Sequence, residues 1–166
     1  MSKRSWIALA GVALVASTLH AAPPPNPLEP VLFSTPFAGS CRFGDCLKHG
    51  WDGDVHADCK FSDCAKDGWS VRGQSGSAST DCSFQKCFEH GWSTRLPDGA
   101  RVDVSCHFGD CLKDGWTARL GSDSVDVRCQ FGDCTKHGWD MTLPGGKRVS
   151  CSCSFGDCKK NGASCR

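Results

Sequence analysis

Six near-copies of one eleven-residue motif run from residue 41 to the end of the chain: CRFGDCLKHGW from Cys41, CKFSDCAKDGW from Cys59, CSFQKCFEHGW from Cys82, CHFGDCLKDGW from Cys106, CQFGDCTKHGW from Cys129 and CSFGDCKKNGA from Cys153. Their first cysteines follow one another at intervals of 18, 23, 24, 23 and 24 residues. Self-similarity at a nearly constant period marks a repeat array, in which each unit is one supersecondary element that buries its apolar face against its neighbours. The fold must therefore be one that a unit of this size can build by repetition.

Between the motifs the sequence alternates with a period of two, the signal of a half-buried strand. Val102, Val104 and Cys106 share one parity, as do Val125, Val127 and Cys129, and Val149, Cys151 and Cys153. After the motif, Trp92, Thr94 and Leu96 share a parity, as do Trp116, Ala118 and Leu120, and Trp139, Met141 and Leu143, while Arg119, Asp126 and Arg128 fall on the opposite, polar side. Each unit thus has one apolar face and one wet face. The His-Gly, Asp-Gly and Asn-Gly pairs before the Trp position, and the stretches LPDGA, LGSDS and LPGGK, punctuate the strands with turn chemistry.

Fourteen cysteines, an even and dense count, favour disulfides in an exported chain. Cysteines five apart would lie roughly 8 Å apart on a helix, beyond disulfide range, but meet across a four-residue reversal. The expected pairs are Cys41 with Cys46, Cys59 with Cys64, Cys82 with Cys87, Cys106 with Cys111, Cys129 with Cys134, and Cys153 with Cys158. Cys151 and Cys165 remain, a seventh bridge within the last unit; bridges between units are the alternative connectivity. A six-residue ring contributes ~2 kcal/mol in the chain-entropy model, so six such rings approach ~13 kcal/mol if additive. That matches the whole net stability of a typical domain, ~5–15 kcal/mol.

Residues 1–21 read as a secretory signal peptide: Lys3 and Arg4, then an apolar run from Trp6 to Leu19 that is shorter than the ~20 residues of a membrane span. Residues 22–40 form a proline-rich, extended leader in which Leu32, Phe33 and Phe37 are candidates to dock on the domain at 41–166. These segments place the chain in the periplasm or outside the cell, with no membrane span. Without the signal, 17 basic side chains face 18 acidic ones, so bulk charge points to neither a nucleic-acid nor an anionic-membrane partner.

The cysteines, with His49, His90, His107 and His137, raise a metal reading, but five-residue spacing does not match zinc motifs, and the position before Gly alternates among His, Asp and Asn. No metal ligand set and no cofactor is assigned. Asp45, Asp63, Asp110, Asp133 and Asp157 share one repeat position, with Lys86 in the third copy, and are read as caps of a local turn or as partners of a lysine three residues on. Equivalent residues spread over six units lack the single asymmetric constellation of an active site, so no catalytic residue is assigned and the chain is read as a non-enzyme.

Trp51, Trp69, Trp92, Trp116 and Trp139 share the apolar parity and are expected to form a core ladder stacked with Phe43, Phe61, Phe84, Phe108, Phe131 and Phe155. The alternative leaves the indole faces open between hairpins, where those five tryptophans would stack on a ligand. In repeated hairpins with Gly-Trp pairs the chain resembles the choline-binding repeats of cell-wall proteins, which use aromatic residues in that way, although motif details and cysteines differ. The period near 23 is similar to that of the MORN repeat, whose tyrosine pattern is missing here, the chain having no tyrosine. Neither likeness transfers a function.

The expected architecture is all-β: a tandem array of six short disulfide-stapled β-hairpin repeats of about 23 residues, forming an open solenoid-like sheet with the last unit as its cap, or alternatively a closed trefoil-like barrel. The expected function is a non-catalytic binding module for a cell-envelope glycan or a protein partner, with affinity multiplied by valency. The alternatives are copper or zinc sequestration through Cys and His, and a toxin-like or inhibitor scaffold.

Overall fold

The structure, a computed structural model, describes residues 28–166. The expected signal peptide, residues 1–21, and the first part of the expected leader lie outside the described residues. Twelve strands form one antiparallel sheet in which every strand pairs with its neighbours in sequence. They are β1 (Ser40–Cys41), β2 (Trp51–Asp52), β3 (His56–Cys59), β4 (Trp69–Gly73), β5 (Gly76–Cys82), β6 (Trp92–Arg95), β7 (Arg101–Cys106), β8 (Trp116–Leu120), β9 (Asp123–Cys129), β10 (Trp139–Thr142), β11 (Arg148–Cys153) and β12 (Ala163–Cys165).

Of the two arrangements left open by the sequence, the sheet comes close to the closed one, curling into a barrel until β12 faces β1 across an open seam. There the Ala163 amide donates to the carbonyls of Phe37 and Gly39, at 2.8 and 2.9 Å. The packing across the seam repeats that of the other units. In each, the Sγ of a first cysteine lies 3.1–3.6 Å from carbonyl oxygens at the start of the preceding unit's second-cysteine turn. Cys41 makes the same contact with Cys158 and Lys159, at 3.3 and 3.2 Å, so the sixth unit packs on the first. Isolated bridges from Ala38 and Gly39 to Ala163 cover part of the two terminal edges, which do not pair with each other as strands.

Strand parity decides which side chains fill the barrel. Val71, Val102, Val104, Val125, Val127, Met141 and Val149 point inward and are buried, and the buried Thr80 and Thr94 hydroxyls satisfy each other at 2.8 Å. Asp103, Arg119 and Arg128 point outward to water, and outward Asp126 is half-buried. This charged wall is the reverse of the apolar band that a membrane-spanning barrel presents to lipid. Among the described residues no helix is long and apolar enough to cross a membrane.

Eight strands make a barrel that side chains alone can fill; twelve leave a wider lumen. Two devices occupy it. The five tryptophans form a continuous inner ladder, with successive ring centroids 5.5, 5.6, 5.7 and 5.9 Å apart. The leader supplies the second device. It was expected to be extended, but Glu29–Ser34 forms a helix, α1, with Pro30 in its first turn, where a missing N–H costs nothing. Helix α1 lies inside the barrel: Leu32, Phe33 and Phe37 are buried, and Trp69 Nε1 and Trp92 Nε1 donate to the carbonyls of Phe33 and Ser34, at 3.2 and 2.8 Å. The buried Glu29 accepts from the Ser75 amide, fastening the plug to the β4–β5 hairpin. The leader is thus part of the core. Ala163, where a sixth tryptophan would stand, marks the place where the leader joins the wall.

Candidate binding surface

Six connections gather at one end of the barrel, each running from the first cysteine of a motif to its Trp position. We call each a knuckle. The second to fifth residues of the motif make a tight reversal closed, in the first copy, by the Asp45 amide donating to the Arg42 carbonyl at 3.1 Å; the bond recurs in all six copies. Both central residues are left-handed, Phe43 at φ 51° and Gly44 at φ 69°. This is the geometry of a type I′ turn, whose preferred sequence is Asn-Gly.

The reversal brings the flanking cysteines within 4.4–4.6 Å Cα to Cα and the six pairs five residues apart form disulfides, while Cys151 and Cys165 bridge β11 to β12. One helical turn follows the second cysteine, where the sequence suggested a β-turn. Its start is capped by the motif aspartate: Asp110 accepts from the Leu112 and Lys113 amides at 3.0 and 3.1 Å, and Asp45 and Asp157 do the same in their units. A glycine ends it. At Gly115, φ +90°, an added Cβ would overlap the Val127 carbonyl oxygen of the next unit, a close approach repeated in every knuckle.

The knuckle reverses the expected placement of the aromatics. Trp51, Trp69, Trp92, Trp116 and Trp139 are at most 1% exposed, so no ligand reaches their faces and the ligand-stacking reading does not hold. The phenylalanines do not stack beneath them. Phe43, Phe61, Phe84, Phe108, Phe131 and Phe155 stand 87–97% exposed, because the left-handed turn swings each ring away from the sheet. Their ring contacts are edge-on to histidine: Phe43 with His49, Phe84 with His90 and Phe131 with His137, centroids 5.3–5.7 Å apart. Neighbouring knuckles are two strands apart, so the rings are spaced by about 10 Å around the barrel end. This crown is the candidate site.

Charge is arranged in layers around it. The cap carboxylates of Asp45, Asp133 and Asp157 are 32–36% exposed, whereas Lys48, Lys136 and Lys160 beside them are 68–74% exposed. Burial would raise the Asp133 pKa, but hydrogen bonds from the Thr135 hydroxyl and from the Thr135 and Lys136 amides hold it below the usual carboxylate range. In the third unit Lys86 cannot cap and pairs instead with Glu89 at 2.8 Å, a bond and charge that lower the Glu89 pKa. On the outer wall Asp58, raised by burial, is drawn lower overall by Arg42, His56 and Arg72.

The opposite end holds a cavity of about 340 Å³ between α1 and the strands, lined by residues that include Val31, Val102, Val125, Leu143, Asp123 and Lys147. All fourteen cysteines are consumed in disulfides, and among the described residues no three His, Cys, Asp or Glu side chains converge as metal ligands. The sequestration reading therefore has no thiolate to act through. Compared with protein-family models, curated proteins and solved structures, the chain matches none.

Proposed function

We propose that this chain is an exported, non-catalytic binding module that docks on a cell-envelope surface through its phenylalanine crown. Seven disulfides suit the oxidising conditions of the periplasm or the cell exterior. One observation carries the docking. Only four residues are common to all six motifs: the two cysteines, the glycine before the Trp position, and the phenylalanine. The cysteines close the knuckle and the glycine admits the neighbouring carbonyl. The phenylalanine contributes nothing to the core, touches at most a histidine edge-on, occupies a turn position suited to Asn, and faces solvent six times over. A backbone outlier without a folding role is a pointer to function.

The geometry also bears on the partner. A glycan strand suits a line of sites, whereas six equivalent knobs on a ring meet a broad, flat face together. Weak contacts then multiply through valency, since five of them are intramolecular once the first forms. Retention of the folded protein on whole cells, peptidoglycan and a glycan array tests the reading, with a variant carrying Phe→Asn at all six crown positions as the control. Retention that this variant retains in full would refute the crown as the docking surface.

A further inference from the structure

We infer that the face the crown meets is a lipid bilayer, with the six phenylalanines seated at the boundary between headgroups and acyl chains. The inference rests on the crown being the docking surface and names what lies opposite it.

Three features favour lipid over a protein partner. A protein hot spot places its anchors at the centre of a patch, packed in desolvated pockets and ringed by polar contacts. The crown has the opposite layout, with its anchors on the perimeter, each alone, about 10 Å from the next. A bilayer needs no central contact, because it is apolar everywhere at a given depth. The six rings also share one turn geometry and one end of the barrel, and a bilayer is flat over that width without needing matching symmetry.

Charge supplies the third feature. The overall balance conceals the layering at this end, where seven lysines, Lys48, Lys66, Lys86, Lys113, Lys136, Lys159 and Lys160, are exposed against two exposed acids, Glu89 and Asp110, while Asp45, Asp63, Asp67, Asp114, Asp133 and Asp157 are half-buried. Lysines beside inserted aromatics are the arrangement by which peripheral elements seat on anionic headgroups. The charged wall above the crown stays in water, so docking is peripheral and ends at the knuckles.

Flotation with vesicles tests this, using phosphatidylcholine alone and phosphatidylcholine mixed with phosphatidylglycerol. The full oxidised chain should float with both and more with the anionic mixture. Each Phe→Asn substitution should weaken partitioning by about tenfold, the equivalent of removing ~1.4 kcal/mol of apolar burial. Fluorescence of the buried tryptophans verifies that the variants remain folded. Equal flotation of the chain lacking all six phenylalanines would overturn the inference. So would retention on cells that depends on the phenylalanines but is accompanied by no flotation, or is abolished by protease treatment of the envelope; the crown would then stand with a protein or glycan opposite it. Neither flotation nor retention would overturn both readings.

Discussion

Phe108→Asn separates what the crown costs from what it does. Phe108 is 97% exposed, at φ 49°, with no ring contact of the kind that Phe43 makes with His49. Its removal therefore forfeits almost no burial. A left-handed conformation costs an ordinary L-residue ~1–2 kcal/mol, and Asn, whose short polar side chain bonds locally, bears much less of it. Asn followed by Gly109 is also the preferred type I′ pair. The substitution should then raise stability by about 1 kcal/mol, measured as a shift in the urea midpoint of the oxidised protein at unchanged slope. Phe155→Asn, equally exposed at 96%, should do the same and add to it, the two turns lying in non-adjacent units. Destabilisation by either substitution would refute the claim that these two rings add nothing to the packing, and with it the inference from strain to function.

Gly115→Ala should cost about 4 kcal/mol. It combines a left-handed penalty of ~1 kcal/mol with a strand that must retreat by about 1 Å from the new methyl and lose ladder bonds. Gly121→Ala, at φ +59° with open space around it, should cost only ~1 kcal/mol in the same denaturation assay. Trp92→Phe leaves the buried Ser34 carbonyl without its donor, whereas Trp139 Nε1 is buried without a partner, so Trp139→Phe should be better tolerated by about 2 kcal/mol in thermal unfolding. Lys86→Asp restores the cap missing from the third unit and should add about 1 kcal/mol, less whatever the exposed pair with Glu89 contributed. Asp133 has a folded pKa below its unfolded one, so its stabilisation is complete above about pH 4 and lost as pH falls through the folded value. Asp133→Asn should accordingly flatten the acid limb of a stability profile while leaving the neutral range sloped as before.

Much of the fold was legible because the signals were local and repeated. Parity placed Val104, Trp116 and Ala118 inside and Arg119 outside, and a spacing of five made a ring of Cys106 and Cys111 geometrically natural. Near-closure was legible only as the second of two arrangements, because it depends on curvature accumulated over twelve strands. A capping Asp110 four residues before Asp114-Gly115 does spell a one-turn helix, N-cap to terminal glycine. In so short a window the Gly pair reads equally as a hairpin. The phenylalanines were misplaced for a different reason: they share the aromatic character of the tryptophans, and only the sign of φ at Phe108 decides that the ring leaves the sheet. Composition assigns aromatics to cores, and a type I′ turn can overrule it. Phe-Gly between two cysteines was the available clue, a Gly-dependent turn holding a residue that the turn does not favour.

The disulfides acquire their purpose from that conflict. A six-residue ring contributes ~2 kcal/mol, while a phenylalanine held left-handed costs ~1–2 kcal/mol, so each staple roughly offsets its own turn. The core does not need the rings for cohesion, since indoles, valines and the leader already fill the lumen. The third unit shows the priority most sharply. Its second turn residue is Gln85, also left-handed at φ 58°, and Lys86 provides no cap, so the knuckle carries two unfavourable backbone positions and lacks the side-chain bond that caps the helical turn. Phe84 is nonetheless present and 87% exposed. The staple thus holds outward a ring that neither the turn nor the core would otherwise keep, and six such rings at one end of the barrel make up the surface proposed as the docking face.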